Sequence, residues 1–265
     1  MSLFVDEIFG NAVQGEGLEM GTPSIFVRTG GCNLTCSGFG CTLVSALDGE
    51  TVITGCDSIH AVNAKHWKHT WSKYENYMDL VVDIKKVLPP EEVLGSGNAE
   101  LPLIIFTGGE PLLQHKEEVM IQTIEYFYSR GFRILVETNA TIDIDFDKYP
   151  IYRNVIFSMS VKMSASGEPK NKRWKPQVAN NYLKNTKQSH FKFVLSRESL
   201  QNEADEIYEF LDQVPTYGIV YVMPKGETSK EVADNAYDVY EFAAKHSMRY
   251  SDRLHIRVHD AKRGV

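Results

Sequence analysis

Two hydrophobic periods alternate along the chain. Short apolar runs rich in β-branched and aromatic residues read as strands at 24–29 (SIFVRT), 102–106 (PLIIF), 132–137 (FRILVE), 154–158 (NVIFS), 191–195 (FKFVL), 218–223 (GIVYVM) and 254–258 (LHIRV). Between them, apolar residues recur at helical spacing. Leu80, Val81, Ile84, Val87 and Leu88 share one face of a helix predicted over 78–88, which Pro89-Pro90 terminates. Val119, Met120, Ile124 and Phe127 do the same over 116–130, with Gly131 suited to the C-cap. Ala204, Ile207, Tyr208 and Leu211 align in a helix from Ser199, and another helix is expected near 229–246. Repeated strand–helix units imply a parallel sheet. The unit count suits an α/β fold built as a partial, incomplete parallel β/α barrel, with a doubly wound open sheet as the alternative.

Residues 37–77 break this rhythm. They are rich in Gly, Cys, His and aromatic residues, and about forty irregular residues inside a compact domain point to a functional loop. The stretch 89–100 reads as a surface connection within one domain spanning 1–265, with a cluster-type loop and insertion at about 31–77.

Composition adds exclusions. At 43% hydrophobic and 24% charged residues, the chain has ordinary globular usage. The net charge of −7 gives no bulk attraction for nucleic acid or an anionic membrane. No apolar run approaches 18 residues, so no membrane span is expected. The acidic start MSLFVDEIFG is unlike a secretory signal, so a cytoplasmic location is expected.

All four cysteines, Cys32, Cys36, Cys41 and Cys56, lie within 25 residues. Such clustering suits a metal or cluster site better than cross-links. GCNLTC places Cys32-x3-Cys36 just after the first predicted strand, where α/β folds build their sites. Thiolates are soft ligands for zinc, copper(I) or iron–sulfur clusters. Zinc would take four cysteines, or three and a histidine such as His60. A cluster held by only three would leave one iron open. The second signal, TGGEP at 107–111, also follows a strand. Its glycines admit close approach of a ligand, and Glu110 can accept hydrogen bonds from an ammonium group or cap the turn.

Together these motifs resemble the radical S-adenosylmethionine (SAM) superfamily. VQGEG (13–17), PSIFVRTGGCNLTC (23–36), CDS (56–58), TGGEPLLQ (107–114), VETNA (136–140), SVK (160–162) and RLHI (253–256) resemble, in order along the chain, the 7-carboxy-7-deazaguanine synthase family of the queuosine pathway. The superfamily loop is C-x3-C-x2-C. Here Cys41 offers C-x3-C-x4-C and Cys56 offers C-x3-C-x19-C. The following Asp57-Ser58, close to the family's Asp-Thr, implies Cys32, Cys36 and Cys56 as ligands of a [4Fe-4S] cluster.

The resemblance implies further roles. Gly108, Gly109 and Glu110 would cradle the methionine ammonium of SAM, while Ser160, Val161, Lys162, Met223 and Pro224 would contact the cofactor. Val161 stands where the family has proline. Val13, Gln14, Gly15, Glu16, Arg28 and Thr107 would meet the substrate, 6-carboxy-5,6,7,8-tetrahydropterin. Arg28 can pair bidentately with its carboxylate. Ser58 is the expected Mg²⁺ ligand, a hydroxyl for a hard cation. The implied reaction is a radical ring contraction with loss of ammonia, giving 7-carboxy-7-deazaguanine. A homodimer and an electron donor such as flavodoxin or ferredoxin are implied as well.

Other features read plainly. His60, His66 and His69 lack i, i+4 spacing and suit packing or surface. KNKRWK (170–175) reads as a solvated loop, and Tyr237, Tyr240 and Phe242 as a core-facing helix with surface aromatics. His255 could approach the substrate or be an ordinary strand residue. Two competing functions remain: a glycyl-radical enzyme activase, against which QGEG and CDS argue, and a non-catalytic four-cysteine zinc module.

Overall fold

The computed structural model describes residues 2–95, 99–262 and 264. One large sheet contains β1 (Leu3–Val13), β2 (Pro23–Thr29), β5 (Ser72–Tyr74), β6 (Leu103–Gly108), β7 (Ile134–Thr138), β8 (Val155–Met159), β9 (His190–Leu195), β10 (Ile219–Pro224) and β11 (Arg249–Tyr250), while β3 (Cys41–Val44) and β4 (Val52–Gly55) form a separate hairpin. The large sheet runs in the order β11-β10-β9-β8-β7-β6-β2-β1-β5. From β2 to β11 every neighbouring pair is parallel, and β1 and β5 extend the β2 edge antiparallel. The expected partial β/α barrel is therefore present, open between β5 and β11.

Strand alternation sorts the residues into layers. Phe106, Val136, Phe191 and Phe193 point outward into the main core. There they meet the helices α1 (Tyr77–Lys86), α2 (Glu118–Tyr128), α3 (Pro176–Asn185), α4 (Leu200–Asp212) and α5 (Ser229–Lys245). Leu80, Val81 and Ile84 on α1, and Val119, Met120, Ile124 and Phe127 on α2, are the buried stripes that the sequence predicts. Inside the sheet, Leu103, Ile105, Leu135 and Ile156 form a smaller apolar layer with Phe26. Above this layer the inward positions turn polar, at Thr107 on β6, Glu137 on β7 and Lys192 on β9. The interior thus has an apolar floor beneath a polar upper layer.

Three segments depart from the sequence reading. LHIRV is not a strand: Leu254–His259 is a helix, α6. The sheet ends at the two-residue β11, and the Ser251 N–H closes the next turn onto the Val222 carbonyl. Asp252 then accepts from the Arg253 N–H and the Arg257 side chain, local bonds that favour a helical turn. The insertion is not irregular throughout, since it contains the β3–β4 hairpin, short helical turns at Ile59–Val62 and Ala64–Trp67, and β5. KNKRWK begins as a short helix, Lys170–Arg173, with Arg173 buried.

Candidate active site

A cavity of about 940 Å³ opens at the carboxyl ends of the parallel strands. Its lining includes Val13, Gln14, Gly15, Glu16, Arg28, Cys32, Cys36, Cys56, Ser58, Thr107, Gly108, Gly109, Ser160, Lys162 and Met223, brought together from the whole length of the chain. Glu110, Val161 and Pro224 are not in the wall; they are buried behind it. Cys41 does line the cavity, within the β3–β4 insertion.

Thr107, Glu137, Gln14, Glu16, Lys192 and Arg253 form one polar network. Thr107 Oγ1 donates to Glu137 Oε2 at 2.6 Å, and Gln14 Nε2 donates to Glu137 Oε1 at 3.3 Å. Lys192 Nζ reaches Glu16 Oε2 at 2.6 Å and Glu137 Oε1 at 3.3 Å. Arg253 donates to Glu16 Oε1 at 2.9 Å, to Asp57 Oδ2 at 3.1 Å and to the Gly226 carbonyl. Burial alone would raise the acids, but Lys192 and Arg253 hold the Glu16 carboxyl well below the usual carboxylate range. Lys192 also holds Glu137 below it. Lys192 itself is held up by Glu137 and Glu16 against the pull of burial. Two carboxylates and two cations are thus fixed in a desolvated wall.

The VQGEG loop is clamped by the C-terminal segment. The Leu254 N–H donates to the Gly15 carbonyl at 3.0 Å, and the Gly17 N–H donates to Ser251 Oγ at 2.7 Å. A side chain at Gly15 would run into His255, which lines the cavity with its Nε2 3.9 Å from Glu16. Arg28 spans to the insertion: its Nε donates to Glu7 at 2.6 Å and its Nη1 to Ser58 Oγ at 3.0 Å.

The cysteine wall differs. Burial pushes the Cys32 thiol up to about 12, with Glu110, Cys36 and Cys56 adding to the effect. Burial likewise pushes Cys56 up to about 12, with Asp57 and Cys36 contributing. Cys36 is raised too, again first by burial. These three thiols thus act on one another. Cys41, in the hairpin, lies 4.0 Å from the Phe39 carbonyl and is raised by burial and by Glu227, with Asp57 and Cys56 adding to the effect. A tetrahedral zinc site with Zn–S bonds of about 2.3 Å needs sulfurs about 3.8 Å apart. The one set of three or more Cys, His, Asp or Glu ligand atoms within 4.8 Å of one another among the described residues is Asp6, Glu7 and His60, which contains no cysteine. No three cysteine sulfurs among the described residues lie within 4.8 Å of one another. His60 there bonds Asp6 at 2.6 Å, while His66 is buried on Ser45 and His69 is exposed.

The GGE turn borders the cavity through Gly108 and Gly109 and also packs against the cysteine loop. A Cβ on Gly108 would collide with the Thr29 backbone, and one on Gly109 with the Gly31 carbonyl. The glycines therefore let the turn dock on the start of the cysteine loop, sealed by the Glu110 N–H to the Gly31 carbonyl at 2.8 Å. Glu110 is fully buried. It accepts from the Leu112 N–H at 3.1 Å, Thr138 Oγ1 at 2.8 Å and the Asn139 N–H at 2.7 Å. Burial raises its pKa to about 7 against those bonds. The capping role is the one observed. Ser160 and Lys162 do face the cavity, 2.8 Å apart, with the Lys162 ammonium 5.7 Å from the Phe39 ring.

Glu137, Lys192, Arg253 and Phe39 are the site residues that residue-level reading misses. Lys192 carries a signal, a lone charge inside an apolar strand. Glu137 and Arg253 sit inside motifs already singled out, and Phe39 lies unmarked between two cysteines.

No family model matches the sequence. The chain is 28% identical over 273 residues to the 7-carboxy-7-deazaguanine synthase of Halobacterium salinarum, covering 96% of this chain and 90% of that one. It is 27% identical over 266 residues to the enzyme of the same name from Hyperthermus butylicus, covering 97% and 92%. Among solved structures, QueE from Escherichia coli superposes with a TM-score of 0.61 at 18% identity, covering 96% of this chain and 95% of that one. A radical SAM methyltransferase from Sphaerobacter thermophilus gives 0.51 at 14% identity, over 87% and 66%. The fold is that of the radical SAM enzymes. Within that class, the chain is a homologue of the 7-carboxy-7-deazaguanine synthases. No helix among the described residues is long and apolar enough to cross a membrane.

Proposed function

We propose that the protein is a radical SAM 7-carboxy-7-deazaguanine synthase acting on 6-carboxy-5,6,7,8-tetrahydropterin. One observation carries the reading: a single cavity faces a spread set of thiols on one side and a desolvated wall of paired carboxylates and cations on the other. Cys32, Cys36 and Cys56 would hold a [4Fe-4S] cluster, with Cys41 as a spare thiol. Bound there with SAM, the cluster would supply the electron and the hydrogen-abstracting radical. Cluster insertion displaces thiol protons, since burial keeps the thiols neutral.

The chain's own groups bind and orient. Gln14 and Glu16 supply acceptors for the guanidine-like edge of a pterin, and Arg28 suits its carboxylate. Ser58 is the proposed magnesium ligand; its hydroxyl oxygen, which accepts from Arg28 Nη1 at 3.0 Å, would then be shared with or released to the metal. Ser160, Lys162 and Met223 would meet SAM. The Gly108–Gly109 backbone would border its methionine end, with Glu110 acting from beneath. A low-potential donor of the flavodoxin or ferredoxin type and a homodimer belong to the same reading, as does a cytoplasmic site.

Anaerobic turnover tests it. Reconstituted protein with SAM, Mg²⁺, a reductant and the tetrahydropterin is expected to form 7-carboxy-7-deazaguanine, identified by mass and ultraviolet spectrum. Protein that cleaves SAM yet leaves the pterin unchanged would exclude this substrate.

A further inference from the structure

We propose that Glu168 is a positioning residue that anchors the cysteine loop and lowers the reduction potential of the cluster it holds; the second half rests on the iron–sulfur reading above. One oxygen, Glu168 Oε1, accepts three hydrogen bonds from the loop: the Thr35 N–H at 2.5 Å, Thr35 Oγ1 at 2.7 Å and the Cys36 N–H at 2.8 Å. The carboxylate is buried, and its residue is braced from behind. The Glu168 carbonyl accepts from Arg173 Nε at 3.0 Å, and Arg173 in turn pairs with Glu206 at 2.6 Å.

Two glycines make this reach possible. Gly38 and Gly167 face each other. A Cβ on Gly38 would strike the Ala165 carbonyl, and one on Gly167 would sit 3.0 Å from the Gly38 nitrogen. The 163–168 segment therefore lies directly on the loop, with Glu168 one residue past the contact. The loop needs an external hold, because Cys36 occupies the left-handed region at φ +49°, ψ +45°, which is costly for a residue with a side chain.

The bonding also separates the two halves of the C-x3-C element. The Leu34 N–H lies 3.4 Å from Cys32 Sγ, and Asn139 Nδ2 lies 4.0 Å from it. Around Cys36 the backbone donors are claimed by a carboxylate. Donors withheld from sulfur and a nearby negative charge both disfavour the reduced, more negative cluster. A lower potential makes the reduced cluster a stronger donor, which suits reductive cleavage of a sulfonium.

The test compares full-length wild type with Glu168→Ala and Glu168→Gln. In the metal-free chains, the Thr35 and Cys36 amides are expected to lose hydrogen-exchange protection while β2 and β6 keep theirs. In the reconstituted chains, iron loss to a chelator is expected to quicken about tenfold or more in Glu168→Ala, the scale of lost charge-assisted bonds. Glu168→Gln, which keeps an acceptor without the charge, is expected to hold iron better than Glu168→Ala and to show a more positive midpoint potential. Unchanged loop exchange, or protection lost equally in β2 and β6, overturns the anchor. An unchanged or more negative potential in Glu168→Gln overturns the tuning. Wild type that takes up no iron would sink the functional reading and the tuning with it, and the exchange data would still decide the anchor.

Discussion

The two walls of the cavity are finished to different degrees. On the β1–β9 side, Glu16, Glu137, Lys192 and Arg253 satisfy one another, so the desolvated charges are balanced by the protein alone. On the insertion side, Cys36 is buried and Cys32 and Cys56 are half-buried, burial raises all three thiols, and the loop that carries them is held mainly through its backbone rather than through the sulfurs. A wall complete in itself suits selection of a polar substrate, because its dipoles are fixed before binding. A wall that lacks its partner suits construction around an added inorganic body. Substitutions should act differently on each side.

The largest effect is expected at the unfinished wall. Serine at Cys32, Cys36 or Cys56 should abolish detectable turnover and the cluster's visible absorption, whereas Cys41→Ser should leave both near wild type. The reverse result for Cys41 and Cys56 would exchange their roles. The finished wall should respond in stability as well as activity. Lys192→Met leaves two buried carboxylates facing each other, so a loss of about 3–5 kcal/mol is expected in urea unfolding of the metal-free chain. Adding Glu137→Gln should recover part of it. Equal stability in wild type and Lys192→Met would mean that the network is not pre-formed.

A subtler effect concerns pH. His190 is buried with its Nε2 unpartnered, and burial lowers its pKa to about 4. Between about 6.5 and 4 the unfolded chain binds a proton that the folded chain refuses, so stability falls as pH falls through that window. Glu110, raised to about 7, works the other way: folded, it keeps a proton that the unfolded chain releases above 4.5, so its contribution falls as pH rises toward 7. Each is worth on the order of 3 kcal/mol at most. Glu110→Gln should therefore lose stability more steeply than wild type between pH 7 and 5, as read from urea midpoints. Parallel curves would show that Glu110 is already ionised. The smallest effect is expected far from both walls: Lys230→Ala, which removes an exposed pair with Asp234, should leave the unfolding midpoint unchanged.

How far the sequence disclosed this molecule depended on the range of the interactions. The parallel strands β2 and β6–β10, and α1, α2, α4 and α5, were legible because burial imposes a local period on each; the two-residue β11 was too short to show one. β1 was not, since its alternation is broken by register shifts between Val5 and Glu7 and between Phe9 and Ala12, with Asn11 at φ +54°. LHIRV has the composition of a strand, but β11 already occupies the edge beside β10 and Asp252 offered helical bonds. In the site, Arg28, Thr107, Gln14 and Glu16 were legible from motifs. The partners Lys192 and Arg253 act 176 and 237 residues away from Glu16, and Glu168 acts 133 residues from Thr35. No local pattern encodes such pairings. The glycines of TGGEP were legible as glycines, but their use, docking one loop on another, required the fold.

The bond between Arg253 and Glu16 has a consequence for birth on the ribosome. A chain emerging from its amino end can lay down β1 through β10 well before residue 253 is made. Until then Glu16 has only Lys192 to answer it, and the VQGEG loop lacks its clasp. Competence should therefore arrive late and abruptly, once residues 251–255 are in place, and a nascent chain stalled just short of them would be folded yet unable to select its substrate.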